Sequence, residues 1–194
     1  MRREAETRQI LVELERRGLL MLQDKSLPSV VSLLTGETLK GSWWAHPRSH
    51  EIFRCLTELG EHPDVLFCKL VAGKVTLVHR RLWPALIAVA TSKEPWQTQS
   101  LSREASSLWK RVEKSSSVVA SGPPVKELER KLLAFAREEH TESGAHRMVI
   151  ESWSRWGKRV RCEAGLTPAE GRQQLERAVS ALGAGLSTLP WRKS

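Results

Sequence analysis

The amino-acid sequence predicts a mainly α-helical fold with a small β-hairpin or sheet, an α+β class in which helices dominate. The first observation is that apolar residues recur at three- and four-residue spacing along most of the 194 residues, as amphipathic helices require. The second is the segment VLFCKLVAGKVTLVHR (65–80), where two runs rich in β-forming residues flank Ala72-Gly73. A chain of this length can bury a sizeable core.

Two helices are predicted at the N-terminus. The segment RREAETRQILVELERRGLLML (2–22) places Ile10 and Leu14 on one stripe, and Gly18 is a plausible stop. The segment SLPSVVSLLTGE (26–37) predicts a shorter helix, with Ser26 as its N-cap and Gly36 just beyond its end.

The next predicted helix follows the segment GSWWAHPRSHEIF (41–53), which is rich in tryptophan and histidine. Pro47 fixes a backbone angle suited to a helix start. Ile52, Leu56 and Leu59 then form an apolar stripe, which Phe53 widens. KGSWW (40–44) is predicted to be extended, and residues 65–71 and 74–80 are predicted to pair as an antiparallel hairpin.

The remainder of the chain is predicted to be helical and separated by a linker. SSSVVASGPP (115–124) has the composition of a loop, so it divides a unit at residues 1–114 from a helical region at residues 125–194. The three predicted C-terminal helices are VKELERKLLAFAREEH, AHRMVIESWSRWGKRVR and TPAEGRQQLERAVSALG. No internal repeat is visible in the sequence.

The order helix, helix, helix, hairpin over residues 5–80 resembles that of a winged-helix domain, a form of the helix-turn-helix. The resemblance implies that the third helix lies in the major groove of DNA and that the hairpin meets the DNA backbone. It also implies that KGSWW joins the hairpin as a third strand. The strings GSWWAHPRSHEIF and KLVAGKVTLVHRRLWPALIAVAT further resemble a group of uncharacterised bacterial proteins, which implies no activity.

Charge favours a polyanionic partner, because the formal net charge is +9. Residues 65–93 contain five basic residues and no acidic one. We therefore predict binding to nucleic acid, with double-stranded DNA as the expected partner. The predicted contacts are base or phosphate contacts from the third helix, phosphate contacts from the hairpin and a stacking tryptophan. These residues are Arg48, Arg54, Lys69, Lys74, Arg80, Arg81 and Trp44.

Two alternatives remain open at this stage. The first is a nucleic-acid-processing or repair enzyme that uses segment 43–51, with His46, His50 and His79 as secondary candidates for its chemistry. Neither a metal-binding motif nor a cofactor-binding motif is present, so no metal and no cofactor are predicted. Glu139, His140, Glu142 and His146 are interpreted as part of a turn. The second alternative is a protein-interaction module whose C-terminal helices bind a partner or form a homodimer.

The location is predicted from the N-terminus and the cysteines. The N-terminal helix is charged and lacks an apolar signal core, and no apolar run approaches the roughly 20 residues that span a bilayer. A cytoplasmic protein without a membrane partner is therefore expected. Cys55, Cys68 and Cys162 lack the spacing of a metal site or a disulfide framework and are expected to be buried structural thiols.

Overall fold

Helices and two small sheets make up this protein, whose computed structural model describes residues 2–140 and 146–192. The mainly helical α+β class is confirmed. The α-helices are α1 (Arg2–Arg17), α2 (Val30–Thr35), α3 (Ser49–Glu61), α4 (Trp83–Ala90), α5 (Pro95–Thr98), α6 (Arg103–Lys114), α7 (Pro123–Arg130), α8 (Trp153–Arg159) and α9 (Pro168–Leu182). The strands are β1 (Leu19–Met21), β2 (Val65–Cys68), β3 (Thr76–His79), β4 (Val118–Val119), β5 (Phe135–His140) and β6 (His146–Glu151).

The chain forms two compact units. Unit 1 is Met1–Trp83 with Gln174–Leu189, and unit 2 is Pro84–Gln173 with Pro190–Ser194. This division differs from the predicted boundary at residues 115–124. The predicted linker contains β4, whose Val118 is buried and pairs with Ile150 of β6. Two adjacent β-branched valines supply this strand inside a loop-like composition.

Unit 1 contains an antiparallel sheet in the order β1-β3-β2. The hairpin of β2 and β3 is confirmed, with Val65 opposite His79 and Cys68 opposite Thr76. The third strand is β1 and not KGSWW, which instead contains part of a short 3-10 helix at Trp43–Ala45. Helix α1 ends at Arg17, and Gly18 adopts a left-handed φ of 81° just beyond it, as predicted.

Helices α1, α2 and α3 pack on this sheet around buried apolar side chains that include Ile10, Leu14, Ile52 and Leu77. Gly36 ends α2 in the left-handed region, as predicted. The N-cap of α2 is Ser29 and not Ser26, because the side chains of Ser29 and Ser32 form a capping box.

Unit 2 contains a second antiparallel sheet, in the order β4-β6-β5. Two segments predicted to be wholly helical change structure partway: β5 follows α7, and β6 precedes α8. Residues 141–145, which include Glu142, lie outside the described part of the chain. Within each unit a helix and a strand precede a hairpin, and the first strand pairs with the third. This structural repeat has no counterpart visible in the sequence. In the described ranges, no helix is long and apolar enough to cross a membrane.

Candidate nucleic-acid interface

An exposed aromatic cluster lies at the start of α3. The rings of Trp43 and Trp44 are stacked with centroids 3.9 Å apart, and Trp44 lies 5.6 Å from Phe53. Trp43 packs against the unit 1 core, whereas Trp44 is 60% exposed and Phe53 is 50% exposed. The stack therefore fixes a large apolar ring at the surface, which costs free energy in water and is a feature of binding surfaces.

Two exposed polar side chains of α3 are near Phe53 along the helix. His50 and Arg54 are four residues apart on the helix, so they occupy neighbouring surface positions. Arg54 Nε donates to the backbone oxygen of His50 at 3.4 Å, and in the described residues neither side chain has an ion pair. We name Trp44, His50, Phe53 and Arg54 the α3 aromatic surface. Its predicted members are Trp44, His50 and Arg54.

Phe53 is the member that sequence reasoning placed elsewhere. The apolar stripe of α3 was expected to include it, but Cys55 takes the inward position and is buried with Ile52 and Leu59. Cysteine is among the most frequently buried residue types. The pair Ile52 and Cys55, three residues apart, was the signal that could have shown Phe53 to lie outside the stripe.

Arg48, a predicted contact to bases, is bound within unit 1. Its guanidinium contacts Glu51 in α3, Glu6 in α1 at 3.0 Å and the backbone oxygen of Leu34 in α2. The bond to Glu51 raises the pKa of Arg48, and burial opposes this effect. Arg48 therefore joins three helices, and its fork of donors suits this role.

Two acidic residues of α3 would repel phosphate if they were free. Glu51 is paired with Arg48 at 2.6 Å. Glu58 accepts a hydrogen bond from the Thr7 hydroxyl of α1 at 2.6 Å. Both carboxylates line a small cavity of about 110 Å³ between α1 and α3, together with Glu6, Thr7, Arg54 and Cys55. Glu58 is thereby bonded to α1, whereas Glu51 is bonded to Arg48.

The predicted cations of the hairpin also have contacts within unit 1. Lys74 pairs with Asp24 at 2.7 Å, and Arg80 lies 3.5 Å from Asp64. Arg81 donates to the backbone oxygens of Glu15 and Arg16, which are exposed carbonyls in the last turn of α1.

The tip of the hairpin is packed into unit 1. Leu70 and Val71 are fully buried, and the Ala72 N–H donates to the Thr188 oxygen at 2.8 Å. Lys69 at the base of the tip likewise has an interaction within the protein. These residues therefore do not form a wing that extends freely into solvent.

Asp24 is a titratable group whose pKa depends on a residue of the hairpin, Lys74. Burial raises the pKa of its carboxyl group, but bonds from Lys74 and from the N–H groups of Ser26 and Leu27 outweigh burial and lower the pKa to about 2. Asp24 is therefore ionised at neutral pH and holds Lys74 in place.

The three candidate histidines serve separate local roles. His46 contacts Glu37 at 3.0 Å through Nε2 and accepts from the Arg48 N–H through Nδ1. His79 accepts from the Arg81 N–H, and burial lowers its pKa. His50 is exposed. In the part of the chain that the structure describes, no hydrogen bond joins these histidines, and no group of three potential ligands could hold a metal ion.

Comparison with known proteins identifies a family for this chain. A family model described as AlkZ related matches residues 6–187. These residues include nearly all of both units. No curated protein and no solved structure matches the chain.

Proposed function

Because the chain belongs to the AlkZ-related family, we propose that it binds double-stranded DNA through the α3 aromatic surface. AlkZ is a DNA interstrand crosslink repair protein, and the family membership points to a DNA-related role. The observation that carries the proposed location is the exposed ring of Trp44, which stacks on Trp43 and contacts the exposed ring of Phe53.

A winged-helix assignment of unit 1 is part of this proposal. Its support is the element order α1-β1-α2-α3-β2-β3 and a sheet in which the hairpin pairs with an earlier strand. In such domains the third helix meets the major groove. The exposed side chains of α3 would then face the DNA, while Arg48 positions the helix from within.

The α3 aromatic surface can contact DNA in two ways. The Arg54 guanidinium can bind a phosphate, or it can form two hydrogen bonds with a guanine. Trp44 can stack on a base that has left the helix stack, a contact worth about 1–3 kcal/mol. DNA with an unpaired base should therefore use Trp44 more than fully paired DNA, whose bases are already stacked.

The experiment compares two labelled duplexes of about 20 base pairs, a size near two turns of DNA at roughly 10 base pairs each. One is fully paired and the other contains one unpaired nucleotide. Fluorescence anisotropy should show that Trp44→Ala weakens binding to the second duplex by roughly 5- to 150-fold, which corresponds to the loss of one stacking contact. The effect on the fully paired duplex should be smaller.

Val12→Ala is the matched control, because Val12 is 58% exposed on α1 in the same unit. It removes exposed apolar area and should leave DNA affinity unchanged. The proposed function is wrong if the wild-type chain shows no binding to either duplex at low salt. The proposed location is wrong if Trp44→Ala and Val12→Ala bind both duplexes alike.

The hairpin cations keep their predicted role as a separate hypothesis. Lys74 and Arg80 are about half exposed despite their ion pairs, so a phosphate could still approach them. Surface ion pairs contribute only about 0–1 kcal/mol, and a phosphate can replace the carboxylate. The expected effect of replacing Lys74 or Arg81 nevertheless includes a loss of stability, because both have bonds within unit 1.

A second candidate function is repair of damaged DNA, and the specific observation that favours it is the relation to AlkZ. Incubation of the protein with a crosslinked duplex tests it directly. Denaturing electrophoresis should show separated strands, either directly after incubation with the protein or after its product has been processed further. An unchanged crosslinked band at protein excess would leave DNA binding as the supported proposal.

The alternative of association through the C-terminal helices has less support. Leu175, Val179 and Leu182 form the apolar stripe of α9, and all three are buried within the chain. The stripe is therefore already covered in one molecule. A homodimer through this face would need α9 to detach.

A further inference from the structure

A basic groove in unit 2 lies between α6 and the connection from β4 to α7. Its volume is about 420 Å³. One wall is the face of α6 that carries Arg103, Ser107 and Arg111, which are spaced by four residues. The lining residues are Arg103, Glu104, Ser107, Leu108, Arg111, Ala120, Ser121 and Pro124.

The two arginines of this groove differ from the predicted cations of the hairpin in unit 1. Arg103 and Arg111 are exposed, and in the described residues their guanidinium groups have neither a hydrogen bond nor an ion pair. Every predicted hairpin cation, by contrast, has an interaction within the protein. A guanidinium without a protein partner can bind a phosphate without first breaking another bond.

The spacing of the groove suits an extended chain of phosphates. Eight residues of α-helix place Arg103 and Arg111 about 12 Å apart along the axis. One strand of duplex DNA advances about 3.4 Å per phosphate along its axis, so this distance covers several phosphates of one strand. Ser107 lies between the two arginines on α6, and Ser121 lines the groove from the connection between β4 and α7. Serine hydroxyls commonly bind phosphate oxygens.

We propose that this groove binds the phosphodiester backbone of DNA through Arg103 and Arg111, with Ser107 and Ser121 as hydrogen-bond donors. The proposal rests on the proposed DNA-binding function and adds a second contact surface in unit 2. Glu104 is the opposing charge in the groove and limits its affinity. Binding at the groove should not depend on DNA sequence, because only the phosphodiester backbone is contacted.

The test replaces both arginines by alanine and measures binding of a labelled 20-base-pair duplex to the full chain across a salt series. Each lost phosphate contact should reduce the slope of log affinity against log salt by about 0.9. Two lost contacts should therefore weaken binding at 0.1 M salt by roughly 10- to 60-fold. Glu104→Gln should strengthen binding several-fold, an effect that a merely structural helix face would not produce.

The matched control is the double variant Lys110→Ala, Arg130→Ala. Both side chains are exposed in unit 2 and lie outside the groove lining, so this variant loses the same charge. It should retain more of the slope and affinity than the groove variant. Thermal unfolding should be unchanged in all three variants, because all five replaced side chains are exposed and none has a bond to another group in the described residues.

Three outcomes would overturn the proposal. Equal salt slopes for the groove and control variants would show that only total charge matters. Weaker binding by Glu104→Gln would exclude a phosphate in the groove. If the double arginine variant binds the duplex like wild type but loses binding to phosphatidylserine vesicles, the groove binds a lipid phosphate and not DNA. If wild-type protein fails to bind any duplex, both this proposal and the proposed function fall, whereas binding through unit 1 alone leaves the proposed function intact.

Discussion

At the scale of the residue, two arginines of unit 1 that were predicted to contact DNA bind the protein's own carboxylate and carbonyl groups. Arg48 joins α1, α2 and α3, and Arg81 caps α1. A sequence shows the positions of basic residues but not their partners, because the partners are distant along the chain. Glu6, for example, precedes Arg48 by 42 residues. From residue type alone, these arginines were predicted to bind phosphate, but in the fold they also form bonds that hold helices together.

Asp24→Asn tests the ion pair that holds the hairpin. The folded-state pKa of Asp24 is about 2, below an unfolded value near 3.9. The ionised form therefore stabilises the fold at any pH above about 4, and this contribution is lost as the pH falls from about 4 to about 2. Asp24→Asn should lower the free energy of unfolding at pH 7 by about 1–2 kcal/mol, less than the full shift because Lys74 is half exposed.

Urea unfolding at pH 7, 4 and 2.5 measures this effect. The difference between wild type and Asp24→Asn should shrink towards the lowest pH. Asp64→Asn is the control, since its pair with Arg80 is longer and more exposed, and it should change stability by well under 1 kcal/mol. A constant difference at all three pH values would contradict the ionised role of Asp24.

At the scale of elements, the helices and strands that could be predicted are the ones whose ends are marked by local sequence signals. Gly18 and Gly36 end helices in the left-handed region, and the change of period after α3 located the hairpin. The missed strands lacked such marks. β5 and β6 contain charged residues that suit a helix face, and Glu139 pairs with Arg147 across the sheet at 2.9 Å. Cross-strand pairing of this kind depends on tertiary context.

Helix α9 gives a test of element packing. Its Gly171 is buried, and a Cβ atom there would lie 2.7 Å from the Ala85 backbone oxygen and 3.2 Å from Ala88 Cβ. Alanine normally stabilises a helix interior by up to about 1 kcal/mol relative to glycine. The clash with α4 should reverse this sign, and Gly171→Ala should destabilise the protein by about 1–3 kcal/mol.

Gly60→Ala is expected to stabilise the protein, in contrast to Gly171→Ala. Gly60 lies in α3, and no atom lies within 4 Å of the position that its Cβ would take. This variant should raise the melting temperature, because only the helix preference changes. Thermal unfolding of both variants decides the matter. A stabilised Gly171→Ala would mean that α9 and α4 separate more easily than their contact indicates.

At the scale of the whole molecule, the net charge of +9 predicted a polyanionic partner without giving its location. The bond pattern of the described residues refines this prediction. Among the described residues, the side chains of Arg103 and Arg111 of unit 2 have no bond to another protein group, and Trp44 and Phe53 of unit 1 are exposed. The sequence could not separate these roles, since it shows charge and aromatic content but not exposure.

The two surfaces should contribute to DNA binding in different ways. Stacking by Trp44 neutralises no phosphate and releases no counterion, so Trp44→Ala should lower log affinity by a similar amount at every salt concentration. Loss of Arg103 and Arg111 should instead flatten the salt dependence. The measurement is a salt series on the duplex with one unpaired nucleotide, with wild type, Trp44→Ala and the double arginine variant side by side. Parallel lines are expected for wild type and Trp44→Ala, and convergence at high salt for wild type and the arginine variant. A changed slope in Trp44→Ala would mean that Trp44 acts by positioning a cation such as Arg54, and the stacking role would then be wrong.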